Sequence, residues 1–101
     1  MSHVRLTLSC PRAVGGQVAE HLLDSPLLAH GFVTLEASGH GGDFTEASLR
    51  EKVRGQVDVI LLVALLSAGD VAPLLAFVGE RFHGPQIRYW TEPVLAFGDF
   101  A

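Results

Sequence analysis

Apolar and polar positions alternate from Val4 to Cys10, with Val4, Leu6, Leu8 and Cys10 on one side and Arg5, Thr7 and Ser9 on the other. That period of two predicts a half-buried strand. Pro11 follows at the first position of a predicted helix, where a missing N–H would have no partner anyway. Val14, Val18 and Leu22 then recur at four-residue spacing and predict an apolar helical stripe. Gly15 and Gly16 weaken its first turn, and Ser25–Pro26 marks its end.

Phe32–Ser38 reads as a second strand and Gln56–Leu66 as a third, with a polar insert, Ser38–Gly55 (SGHGGDFTEASLREKVRG), between them. A second helix follows. With Ser67 as its cap, Pro73 would fall inside the helix and break a hydrogen bond. With Asp70 as the cap, Pro73 sits in the tolerant first turn. Val71, Leu75, Val78 and Phe82 form its predicted buried stripe, and Gly84–Pro85 stops it. Ile87–Trp90 is a short fourth strand, and Pro93–Phe100 an extended or turn segment.

The order βαββαβ predicts one ferredoxin-like α+β domain over residues 1–101, a four-stranded antiparallel sheet with both helices on one face. In such a sheet the strands should alternate apolar and polar. The third does not: Val59, Leu61, Val63 and Leu65 lie on one side, and Ile60, Leu62, Ala64 and Leu66 on the other. The face without helices therefore needs a cover. A partner subunit's sheet is the economical one; the competing cover is the chain's own Val94–Phe100.

Composition narrows the function. The 101 residues are 49% hydrophobic and only 18% charged, with a net charge of −4 and a single lysine, Lys52. A nucleic-acid binder would need clustered Lys and Arg. The lone Cys10 excludes an internal disulfide or a CxxC site. The N-terminus lacks an apolar signal core, and Val59–Leu66 is far short of the roughly 20 residues that span a bilayer. The expectation is a soluble, cytoplasmic chain in a reducing compartment, not itself embedded in a membrane.

The same fold serves many functions, so sites must decide. The chain has no CxxC for a copper chaperone, no asparagine for an acylphosphatase, no aromatic third strand for an RRM, and too few cysteines for a dicluster ferredoxin. No nucleophile–base or paired-carboxylate set can be assembled, so the expectation is a protein that is not an enzyme. Of the five histidines, His3, His21, His30 and His83 read as surface or capping groups. His40 stands out because Gly39, Gly41 and Gly42 surround it, and glycines let backbone N–H groups approach a ligand. Cys10 has two readings: a thiol activated by the helix N-terminus, or, more simply, a small buried hydrophobe. The candidate metal ligands are thus Cys10 and His40. Asp43, Glu46 and Glu51 read as solvating charges. Tyr89 and Trp90 point to opposite faces of the last strand.

The βαββαβ order with a long insert after the second strand resembles the PII-like superfamily of trimeric signalling proteins. More closely, the LTLSCP start, SGHGG, VRGQVDV and the IRYWTEPVLAFG ending resemble a PII-like family of unknown function, DUF3240. The resemblance implies a homotrimer with sheets packed inward, and makes Ser38–Gly55 the counterpart of the T-loop through which PII proteins touch their targets. It also aligns Gly39-His40-Gly41 with a Gly-x-Gly that approaches a nucleotide between subunits. On that reading Gly39, His40, Gly41 and Gly42 would cradle a small ligand, with Arg50, Lys52 and Arg54 supplying positive charge. Two departures argue against ATP binding of the PII type. The connection His83-Gly84-Pro85-Gln86 lacks the glycine- and lysine-rich phosphate loop, and the AFGDFA ending lacks basic residues. The resemblance further implies a link to heavy-metal efflux, with a membrane transporter or efflux system as partner and a small molecule or metal as effector. Direct metal binding, as in CutA-like tolerance proteins, is the alternative.

Overall fold

The computed structural model describes residues 2–41 and 56–101. Its elements are β1 (His3–Pro11), α1 (Arg12–Leu23), β2 (Val33–His40), β3 (Gln56–Ser67), a 3-10 turn (Ala68–Asp70), α2 (Val71–Gly79) and β4 (Arg88–Val94). The strands form one antiparallel sheet in the order β2-β3-β1-β4. With both helices on one face, this is the ferredoxin-like α+β arrangement.

The central ladder pairs β1 with β3 from His3↔Ser67 to Pro11↔Val59. Residues opposite each other share a face. Leu6 with Ala64 and Leu8 with Leu62 therefore point toward the helices, and all four are buried. Val18 and Leu22 of α1 and Leu74 and Val78 of α2 complete that core. Each of these leucines and valines contributes about 1.5–3 kcal/mol on burial, and the Ala64 methyl less.

Pro11 is the last residue of β1 and the N-cap of α1, its ψ of 142° still extended, so the helix begins at Arg12. Gly15 packs α1 onto the sheet. A Cβ there would stand 2.7 Å from Cγ1 and 2.8 Å from Cβ of Ile60, whereas one on Gly16 would meet nothing within 4 Å. The predicted weakness of the first turn is thus also the contact that lets helix and strand approach.

The second helix departs from its predicted stripe. Leu74 and Val78 are buried, while Val71, Leu75 and Phe82 are only partly so. The sequence VAPLLAFVG is apolar on nearly every side, so periodicity does not separate Leu74 from Leu75. Asp70 precedes α2 but is itself helical, in the 3-10 turn, and makes no side-chain cap; the last extended residue is Ser67. Pro73 falls in the first turn of α2, as expected. The far end of α2 is capped from α1. His21 Nε2 donates to the Phe77 carbonyl at 2.7 Å, and its ring stacks on Phe77 with centroids 4.1 Å apart. That carbonyl is among the last four of a helix, which have no intrahelical partner.

β2 runs two residues past Ser38, and β4 extends to Val94 instead of stopping at Trp90. Pro93 lies inside β4, opposite Val4. It is tolerated because β4 is an edge strand, where one side of the backbone needs no ladder donor.

The helix-free face carries Val33 and Leu35 of β2, Leu61, Val63 and Leu65 of β3, and Trp90 of β4. Val33 is 60%, Leu35 50% and Trp90 44% exposed. The C-terminal segment covers them incompletely: Leu95 and Phe100 are fully exposed, and Phe97, its ring 5.4 Å from those of His3 and His30, borders only the end of the face at Val33, Val63 and Leu65. Arg5 and Glu92 are cross-strand partners on this face, joined by bonds of 2.7, 2.9 and 3.1 Å.

Two glycine substitutions test the helix–sheet contact. Gly15→Ala is expected to destabilise the fold by about 1–3 kcal/mol, because Ile60 must move. Gly16→Ala is expected to stabilise it by about 0.5–1 kcal/mol, since only backbone entropy changes. Equilibrium urea unfolding measures both; equal effects would refute the close approach.

Candidate functional site

The β2–β3 ladder ends at Gly39↔Val57 and His40↔Gln56. Gly39 and His40 are therefore paired strand residues, not members of a free loop. Alternation sends them to opposite sides. His40 joins Glu36 and Ser38 on the face that carries the helices, while Gly39 lies buried on the other with Leu35 and Ala37. Gly41 follows with φ +99°, a backbone conformation that side chains resist. Gly42, Lys52 and Arg54, together with Arg50, Asp43, Glu46 and Glu51, lie outside the described residues.

Beside His40 is a polar strip that sequence reasoning missed. Arg12, the first residue of α1, pairs through Nη2 with Glu36 on β2, and its Nη1 lies 3.9 Å from the Asp58 carboxylate on β3. The register sets Ser38 opposite Asp58 and His40 opposite Gln56, so the strip continues to the end of the ladder. These groups are partly exposed, and ion pairs of that kind contribute only about 0–1 kcal/mol each. Their value is in placing charge. A signal was present in sequence: Asp58 is the one charged residue of the otherwise apolar β3, and the alternate positions Thr34, Glu36, Ser38 and His40 of β2 are all polar.

The two metal candidates are not brought together. Cys10 is level with Ile60 and His40 with Gln56. At about 3.3 Å per residue they stand roughly 13 Å apart along the strand direction. Among the described residues no three His, Cys, Asp or Glu side chains gather as metal ligands. Cys10 is fully buried, and desolvation pushes its thiol up to about 11. That agrees with the simpler reading, a small hydrophobe beneath α1. Among the described residues no helix is long and apolar enough to cross a membrane.

The family model described as "Protein of unknown function (DUF3240)" matches residues 1–101. A search of curated proteins finds no match. Among solved structures, the chain is similar to a DUF3240 family protein from Shewanella baltica OS155, with 18% identity, a TM-score of 0.74, and coverage of 100% of this chain and 99% of that one. It is also similar to CPII, a nitrogen regulatory PII-like protein from Thiomonas intermedia K12 bound to ADP, AMP and bicarbonate. There the identity is 15%, the TM-score 0.68, and the coverage 99% of this chain and 98% of that one. A Bacillus cereus protein related to NIF3 has a TM-score of 0.68 at 12% identity, over 97% of this chain but only 26% of its own. These likenesses establish a shared PII-like fold.

The buried thiol gives a pH test. Its folded value lies above the ordinary 9.0, so the unfolded chain loses that proton first as pH rises. The contribution to stability is complete below pH 9 and is expected to decline between about pH 9 and 11. Urea midpoints measured over that range should fall more steeply for the native chain than for Cys10→Ala. Parallel curves would contradict it.

Proposed function

The chain belongs to the DUF3240 family, and from that premise we propose that it is a non-enzymatic, PII-like trimeric regulator. It senses a small ligand at the cleft between subunits and acts on a partner through residues 38–55. The observation that carries this reading is the last rung of the β2–β3 ladder. His40 and Gln56 are strand partners, so both stems of the insert leave the sheet side by side. An arm anchored on a rigid ladder, next to the charged Arg12–Glu36–Asp58 strip, suits a binding event transmitted to a target.

Assembly is supported by the apolar, helix-free sheet face, on which Val33, Leu35 and Trp90 stay exposed. Contiguous patches of this kind are rare on soluble monomers. Gly39, His40, Gly41 and Gly42 would approach the ligand through their backbone, with Lys52 and Arg54 supplying charge for an anion. ADP, AMP and bicarbonate, bound by CPII, supply the first probes. The partner in this reading is a membrane transporter of a heavy-metal efflux system, the class that the family resemblance implies.

Two measurements test it. Light scattering after size exclusion is expected to give about three times the 10.8 kDa chain mass; a monomer at every concentration sinks the cleft with the trimer. Trypsin can cut at Arg50, Lys52 and Arg54. Saturable slowing of those cuts by AMP, ADP or bicarbonate is expected, and identical cleavage with all three would overturn the sensing role.

A further inference from the structure

Beyond β4 the chain ends in Leu95–Ala101, LAFGDFA, without regular structure. Leu95 is 100% and Phe100 108% exposed, so neither side chain packs against the described residues. Phe97 behaves differently. With Phe32, Val33, Val63 and Leu65 it lines a cavity of about 350 Å³. The register places Val33, Val63 and Leu65 on the helix-free face, so the cavity is one end of that apolar surface. The same chain thus presents a bare aromatic side chain and an apolar hollow that it does not fill.

Charge favours a match between the two. The ionisable side chains lining the cavity are Arg5 and His30, both basic. The one charged side chain in the terminal segment is Asp99, next to Phe100. Arg5 holds Glu92 through Nε and Nη2, and these bonds leave Nη1 uncommitted. A planar guanidinium can serve a second carboxylate through its remaining edge.

We propose that Phe100 of one copy seats in this cavity on a second copy of the chain, with Asp99 meeting Arg5 at its mouth. This rests on the self-assembly proposed above and adds a specific contact to it. The donor surface differs from the acceptor surface, so the contact runs head to tail. Repeated with a closing rotation, it builds a ring instead of a two-fold pair.

Photo-cross-linking tests it. The full-length chain carries p-benzoylphenylalanine in place of Phe100, and a mixture of ¹⁴N- and ¹⁵N-labelled protein is irradiated. Mixed-isotope links from the terminal segment to the segments holding Phe32–Val33 or Val63–Leu65 are the expected result. Links confined to one isotope would mean that the segment folds onto its own cavity, and would overturn the proposal, as would links only to other segments. Sedimentation of Phe100→Asp gives an independent readout. Because the Phe100 side chain is fully exposed, the fold should be unchanged, while the assembly constant weakens at least about tenfold. An assembly of unchanged affinity, without mixed-isotope links, defeats this contact alone and leaves the assembly standing. A wild-type monomer at every concentration defeats both.

Discussion

The pairing of β1 with β3 is the constraint on which the molecule depends. Its register, from His3↔Ser67 to Pro11↔Val59, decides which residues meet the helices. Leu6, Leu8, Leu62 and Ala64 fall on that face and are buried there. Strand periodicity then leaves no choice for the residues between them. Leu61, Val63 and Leu65 must face away, onto a surface that the described residues cover incompletely. Burial on one face and apolar exposure on the other have a single cause.

The same register organises the site end of the sheet. Because β2 stays paired through His40, the glycine-rich stretch divides into ladder residues and Gly41 beyond them. Gly39 contributes to the apolar side, and His40 to the polar side with Glu36 and Ser38. Arg12 reaches this strip because Pro11 ends β1 where it does, which sets the first residue of α1 beside Glu36 and Asp58. A helix start one residue earlier would rotate that guanidinium by about 100° about the helix axis, at 3.6 residues per turn.

Two contacts tie the helices down, and neither follows from helical propensity. Gly15 allows α1 to approach Ile60 closely, at the expense of helix stability in its own turn. His21 donates to a carbonyl near the end of α2 and stacks on Phe77, so one helix satisfies the other's orphan group. Both are long-range in sequence. A histidine in the last turn of a helix and a glycine in its first turn carry no local mark of the partner each will find.

The sequence by itself determined the element order, the ferredoxin-like class and the two-faced third strand, because periods of two and near four follow directly from backbone geometry. It also singled out Cys10 as more simply a core residue. Local pattern is weaker where a segment is uniformly apolar, as in α2, where Leu74 rather than Leu75 became the core residue, and at edges, where Pro93 was compatible with a strand after all. Only the tertiary structure decided which residues share a rung. That fixed the end of β2 at His40, the Arg12–Glu36–Asp58 strip, the distance between Cys10 and His40, and the cavity beside Phe97. Each depends on register between strands distant in the chain, and register is set by the summed packing of both faces rather than by any single segment.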